Sequence, residues 1–210
     1  MYYKDKMTEE SSGKQIEYQR KPIEGKNRKL AKSTHQKLID QAERDPLTRL
    51  LNRRGLASRS NAAIAHADRS SENLAFFITD LDNFKTGVND AYGHPTGDAV
   101  IRYTSECVEG SLRLTDSVAR IGGDELAGII VNPDQNYLGE IEKRIKEKFL
   151  SNSDRLRELL PNPAQVDEIM TKIGISIGIT SIQDGDSYSD MYQRADSELT
   201  KVKIEKGTKR

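Results

Sequence analysis

The 210-residue sequence has no tryptophan, one cysteine, six prolines and no surplus of either charge. Each shortage excludes something. A single thiol, Cys107, cannot build a disulfide framework and suits a reducing compartment. Thirty-three Lys and Arg balance thirty-three Asp and Glu, so the chain is not built as a general polyanion binder. No nucleic-acid partner is expected, and any phosphate site must be local. The longest stretch free of charge and proline, around Ile173–Gln183, falls far below the roughly 20 residues of a membrane helix. The opening MYYKDKMTEE lacks the apolar segment of a signal peptide. With 35% apolar residues there is still enough for a core. The expectation is a cytoplasmic globular protein with no membrane span in this chain.

Residues 1–44 stand apart from the rest. Eleven Lys and Arg face seven Asp and Glu there, a surplus of four positive charges, and Pro22 and Gly25 interrupt helical patterns. This predicts a flexible lead-in over 1–24 and a helix over about Lys26–Glu43, with Leu30, Leu38 and Ile39 as a weak stripe. One domain is expected over 45–210. Leu50–Ala67 has helical spacing, and LAFFIT (74–79) is a short apolar run that reads as a buried strand. Pro95 suits a first helical turn, followed by Val100, Tyr103 and Cys107 at helical spacing. SVARI (117–121) and LAGIIV (126–131) flank Gly122-Gly123-Asp124-Glu125 and predict a β-hairpin. Tyr137, Ile141, Ile145 and Phe149 mark a further helix. GISIGIT (174–180) alternates as a strand does, and Met191, Ala195, Leu199 and Val202 mark the last helix. Segment 151–170, with two prolines, reads as an inserted loop with one or two short helices. The fold class is α/β (α+β), a mixed central sheet with an antiparallel hairpin, flanked by helices.

Three stretches carry chemistry. Asp80-Leu81-Asp82 places two carboxylates at the end of the apolar strand, on one side of it if the strand continues. A hard divalent cation needs such oxygens and completes its shell with water and phosphate. Alternatively these acids cap the following helix. The two acids of the glycine turn are costly side by side unless a cation neutralises them. Asp80 and Asp124, brought together by adjacent strands, could serve one metal pair. In the third stretch, Lys85 follows a strand–turn–helix, where backbone N–H groups form an anion site. Asn89, His94 and Asp98 follow on polar turns. An Asp carboxylate accepts from both N1–H and the exocyclic amine of guanine, which adenine cannot match, so Asp98 favours GTP over ATP.

The string Asp80-Leu81-Asp82, Phe84-Lys85, Asn89-Asp90-Ala91-Tyr92-Gly93-His94, Gly97-Asp98, then Arg120-Ile121-Gly122-Gly123-Asp124-Glu125-Leu126, resembles the GGDEF-domain diguanylate cyclases. Asp45-Pro46-Leu47-Thr48, Asn52-Arg53-Arg54, Ser176-Ile177-Gly178-Ile179 and Ala195-Asp196 extend the match over about residues 43–210. The resemblance implies a nucleotidyl-cyclase or polymerase-palm-like fold. It implies condensation of two GTP to cyclic di-GMP with release of two pyrophosphates, by a homodimer. Asp80, the Leu81 carbonyl and Asp124 would hold two Mg²⁺ or Mn²⁺ ions per active site. Asp124 and Glu125 would serve the chemistry, and Lys85 would stabilise phosphate charge. Asn89, His94 and Asp98 would bind the nucleotide, and Lys203 or Lys206 would contact phosphate. Arg113-Leu114-Thr115-Asp116 has the RxxD form of the family's inhibitory product site, so Arg113 and Asp116 would bind cyclic di-GMP.

The sequence departs from the family pattern at several points. Arg49 stands where Gly is usual, Leu126 replaces Phe, Thr200 replaces Tyr, and Thr208 stands where Arg follows the last Gly. One extra residue lies between Lys85 and Asn89, which would rotate a continuous helix by about 100° unless a bulge near Gly87 absorbs it. Another lies before Gly207, so Lys203 and Lys206 compete for the phosphate role. A catalytically silent module that senses cyclic di-GMP through Arg113 and Asp116 is the alternative. Loss of Asp80 or Asp124 would favour it, and both are present.

Overall fold

The computed structural model describes residues 42–70 and 72–207. The expected lead-in over 1–24, and the helix over 26–43 except its last residues, lie outside them. Leu51–Asn52 form β1, and helix α1 runs from Arg53 to Ser70. Strand β2 is Leu74–Asp82. A π-helix at Lys85–Asn89 and a short turn of helix at Asp90–Tyr92 (α2) lead into α3, His94–Glu109. Strands β3 (Ser117–Arg120) and β4 (Leu126–Val131) form the hairpin. Helices α4 (Gln135–Ser151), α5 (Ser153–Leu159) and α6 (Val166–Lys172) follow, with a 3₁₀ turn at Pro163–Gln165. Strand β5 (Gly174–Ser181) and helix α7 (Tyr188–Lys206) complete the described chain.

The five strands form one mixed sheet in the order β1-β3-β4-β2-β5. Only β1 runs parallel to its neighbour; β3–β4, β4–β2 and β2–β5 are antiparallel. All nine residues of β2 are buried, because helices cover both faces. Alternation then sorts its side chains. Ala75, Phe77 and Leu81 join the apolar cluster that includes Val100, Ile141, Leu156 and Ile169. Leu74, Phe76 and Ile78 join the opposite cluster with Leu56 of α1 and Met191, Ala195 and Leu199 of α7. Even-numbered positions of β2 therefore face α7, and Asp80 and Asp82 are even-numbered.

The structure corrects four local expectations. The helix expected from Leu50 begins at Arg53, because Leu51 and Asn52 pair with Ala119 and Arg120 and the Asn52 Oδ1 accepts from the Gly55 amide at 3.0 Å. β2 continues through Asp82 instead of ending at Thr79, so both acids lie within the strand. The buried stripe of α7 is completed by Lys203 in place of Val202. Segment 151–170 holds the short helices expected of it, but packed into the core in place of a loop, with Leu156, Leu160, Val166 and Ile169 buried. Arg49, at φ +64°, occupies the left-handed region that glycine adopts without cost.

One glycine sets how closely α7 lies on the sheet. A Cβ on Gly178 of β5 would overlap the Ala195 carbonyl oxygen and the Leu199 amide, both backbone atoms of α7. Neither can yield as a flexible side chain would. Gly178→Ala is expected to lower stability by about 1–3 kcal/mol, as overpacking does. Chemical denaturation of the two proteins, read as a shift in midpoint at constant slope, checks this.

Candidate active site

The two acids of β2 meet two lysines of α7. Lys203 and Lys206 are three residues apart and so share a helix face. The Lys203 ammonium pairs with the Asp80 Oδ1, and both side chains are nearly buried. Lys206 Nζ donates to Asp82 Oδ2 at 2.9 Å, to the Ile175 carbonyl at 2.8 Å and to Ser176 Oγ at 3.0 Å. Ser176 Oγ in turn donates to Asp82 Oδ1 at 2.6 Å. Asp82 is thereby tied to β5 and α7 alike.

The hairpin brings further acids to the same strand end. The last β2–β4 pair is Thr79 with Leu126, so Asp80 lies one residue beyond it, beside the turn. The turn is closed by the Ile121 amide donating to the Glu125 carbonyl at 3.0 Å. Two arginines grip its backbone. Arg53 Nε and Nη2 donate to the Ile121 carbonyl at 3.1 and 2.8 Å. Arg120 Nε and Nη2 donate to the Gly123 carbonyl at 3.0 and 2.8 Å. Arg120 Nη1 also pairs with Asp45 Oδ2 at 3.3 Å. Burial opposes the charge on Asp45, but the Thr48 amide and hydroxyl and then Arg120 hold its carboxyl below the ordinary range. A Cβ on Gly122 would stand 2.6 Å from Glu125 Oε2, so a side chain there would displace the Glu125 carboxylate. A Cβ on Gly123 would meet nothing within 4 Å.

Asp124 reports on this crowding. Burial first, and the Asp80 charge second, push its carboxyl up from 3.8 to about 6; Lys203 pulls it down and Glu125 adds to the rise. Asp80, Asp124, Glu125 and Lys203 thus share one electrostatic neighbourhood. Among the described residues no group of three or more His, Cys, Asp or Glu side chains is placed to hold a metal ion by itself. The oxygen donors here fit a hard divalent ion of the kind that keeps waters and takes phosphate oxygens. A positive charge between Asp80 and Asp124 would offset the repulsion that, after burial, raises the Asp124 carboxyl.

The segment after β2 carries the other sequence candidates. Asn83, at φ +58°, turns the chain out of the strand. The wide π-turn at Lys85–Asn89 then absorbs the extra residue between those two positions. Asn89 Oδ1 rests so close on Gly97 that any Cβ there would overlap it. Lys85 and His94 are exposed and Asp98 is half-buried. Lys85 opens the π-helix, and His94 and Asp98 lie in the first turns of α3, on the segment that follows the β2 acids.

Arg113 and Asp116 lie elsewhere, on the loop entering β3, at the opposite end of that strand from the hairpin turn. Asp116 Oδ2 accepts from the Arg113 amide at 2.9 Å and from Tyr137 Oη at 2.8 Å, and its Oδ1 accepts from the Val131 amide at 3.1 Å. The Arg113 guanidinium stacks on the Tyr137 ring, 3.7 Å from its centroid. A cavity of about 300 Å³ opens beside this loop, lined by Arg44, Arg59, Glu109, Arg113 and Asp116 among others.

Sequence reasoning missed the Lys206–Asp82–Ser176 network and the grip of Arg53 and Arg120 on the hairpin. The first was signalled by lysines three apart on a helix facing acids two apart on a strand. The second had no local signal, because Arg53 and Ile121 are 68 residues apart.

The family profile described as "Diguanylate cyclase, GGDEF domain" matches residues 42–209. Diguanylate cyclase DosC of Escherichia coli is 33% identical over 155 residues, covering 74% of this chain and 32% of that protein. The bifunctional diguanylate cyclase/cyclic di-GMP phosphodiesterase MucR of Pseudomonas aeruginosa is 32% identical over 170 residues, covering 80% of this chain and 23% of that protein. The chain thus spans a third or less of the length of these curated relatives. The structure resembles that of the diguanylate cyclase SiaD, solved with its activator SiaC from Pseudomonas aeruginosa, at a TM-score of 0.72 and 27% identity over 87% of this chain and 66% of that one. The GGDEF domain of DgcB from Caulobacter crescentus, solved with c-di-GMP, gives 0.67 and 27% over 80% of this chain and 94% of that one. The chain belongs to the GGDEF diguanylate cyclase family, and its sheet is the palm-like sheet of those domains. No helix among the described residues is long and apolar enough to cross a membrane.

The raised carboxyl of Asp124 has a consequence for stability. Between pH 3.8 and about 6 the folded state holds a proton that the unfolded state has lost. The stability this contributes is therefore complete below 3.8 and gone once the pH has risen through 6. Asp124→Asn, which cannot ionise, is expected to raise the thermal midpoint of the metal-free protein at pH 7.5 and to leave it unchanged near pH 3.5. Calorimetry of the two proteins in chelator-treated buffer at both pH values checks it.

Proposed function

We propose that this chain is a diguanylate cyclase that condenses two GTP into cyclic di-GMP and releases two pyrophosphates, each subunit of a homodimer offering one GTP to the other. Residues 45–210 are its catalytic unit. The observation that supports the reading is that Asp80, one residue past the last β2–β4 pair, and Glu125 both add to the rise of the Asp124 carboxyl after burial. Cyclases named among the relatives, and a neighbour solved with c-di-GMP, support the same chemistry.

Asp80, the Leu81 carbonyl and Asp124 would hold two Mg²⁺ or Mn²⁺ ions, which would supply charge for the leaving pyrophosphate and a lowered 3′-hydroxyl pKa. The other roles fall to side chains. Asp124, with Glu125 beside it, accepts the proton of the attacking 3′-hydroxyl. Asp98 and Asn89 read the guanine edge, and His94 lines the nucleotide. Lys85, exposed at the start of the π-helix, takes phosphate charge. Lys203 and Lys206 pair with Asp80 and Asp82 and orient them, which leaves phosphate contact a secondary duty for them. Arg53 and Arg120 hold the turn still while Asp124 works.

Separation of nucleotides after incubation with GTP and Mg²⁺ or Mn²⁺ tests the activity. Cyclic di-GMP and pyrophosphate are expected from the native chain and neither from Asp124→Asn. Equal use of ATP would contradict the role given to Asp98.

The second site takes the product. Arg44, Arg59 and Arg113 surround the cavity beside the RxxD loop with guanidinium groups, which suits a ligand carrying two phosphates and two guanines. Arg113→Ala is expected to raise the product concentration at which synthesis stalls, without slowing initial turnover. A progress curve with added cyclic di-GMP measures this, and an unchanged stall point removes the assignment.

A further inference from the structure

The helices of 153–172 have no part in the chemistry above, yet the last residue of α6 touches the nucleotide segment at three places. Lys172 Nζ donates to Tyr92 Oη at 2.7 Å and lies 4.9 Å from the centroid of that ring. Glu168 Oε1 holds the same ammonium at 2.6 Å, so it cannot swing away freely. The Lys172 carbonyl accepts from Asn83 Nδ2 at 3.4 Å. The Lys172 Cβ stands 3.4 Å from where a side chain on Gly87 would begin. These three contacts fall before, within and after the π-helix. Beneath them, Val88 of the π-helix is buried in one apolar cluster with Val166, Ile169 and Ile173.

A π-turn is rare, and a single one persists where its surroundings hold it. Here it fixes where Lys85 and Asn89 stand relative to each other. If Lys172 let go, the segment could rewind toward an α-helix, and one residue of slippage would turn Asn89 by about 100° away from Gly97. We propose that Lys172 is a positioning residue for nucleotide recognition, its ammonium holding segment 83–94 in its π-helical form through Tyr92, while the carbonyl and Cβ at the same position bear on Asn83 and Gly87. The proposal rests on the roles given to Lys85 and Asn89 under the cyclase reading. It adds that α6 sets the affinity of that site.

The test uses the full chain and the GTP analogue with a methylene group between the α- and β-phosphates, which binds but cannot lose pyrophosphate. In titrations with Mg²⁺, Lys172→Met is expected to weaken binding about three- to tenfold, the worth of one hydrogen bond. Lys172→Arg should restore most of it, and Tyr92→Phe combined with Lys172→Met should be no weaker than Lys172→Met alone. Steady-state assays with GTP should show the loss in KM with kcat within about twofold, the pattern of lost binding rather than lost chemistry. Wild-type affinity in Lys172→Met, or additive losses in the double variant, would overturn the proposal. A native chain that binds the analogue but makes no cyclic di-GMP would refute the cyclase reading, while the binding series still decides the role of Lys172. A native chain that binds no analogue overturns both.

Discussion

Placing two aspartates in a strand whose every residue is buried is costly unless positive charge reaches them. Lys203 supplies it at Asp80, and both partners have left water to make the contact. Desolvation takes back most of what such a pair gains, but removing one partner alone would strand a buried charge, at about 3–5 kcal/mol. The sheet and helix are arranged around that need. Gly178 lets the α7 backbone lie directly on β5, and only at that distance does a lysine of α7 reach the end of β2. Lys206 repeats the contact one turn on, with Asp82 and Ser176. The site is thus an island of opposite charges enclosed by two apolar clusters. Its balance is incomplete: Asp80 has its lysine, while Asp124 is left partly uncompensated and resists ionisation.

Much of this was legible in the sequence, for reasons of period. The apolar run of β2, the glycine hairpin and the stripes of α3, α4 and α7 each follow a single pattern long enough to read. The side-by-side placement of Asp80 and Asp82 followed from alternation alone. What was not legible depends on partners distant in the chain. A two-residue strand at Leu51–Asn52 has no period to detect and exists because β3 lies beside it. Lys203 broke the apolar stripe of α7 and so concealed its own burial. The two prolines of 151–170 suggested a loop, whereas Leu156, Val166 and Ile169 anchor that segment in the core.

The departures from the family pattern have physical readings as well. The residue added between Lys85 and Asn89 falls in a π-turn, which accommodates one residue more than an α-turn. Arg49 adopts a glycine-like backbone and is held there, its amide donating to the Asp45 carbonyl at 2.9 Å and its carbonyl accepting from Arg44. That strained turn positions Asp45, the acid that meets Arg120. Nearly every one of these local irregularities lies within a few residues of the site, where a regular backbone would aim the side chains elsewhere.

The double grip of Arg120 makes the glycine hairpin mechanically continuous with the turn at Asp45. One guanidinium spans Asp45 and the Gly123 carbonyl, so the two segments cannot loosen separately: freeing either exposes a charge or a carbonyl that the other was satisfying. A torque on the chain just ahead of residue 45 would therefore be felt at the glycine turn as a change in tension, with no need for a rearrangement of the sheet between them.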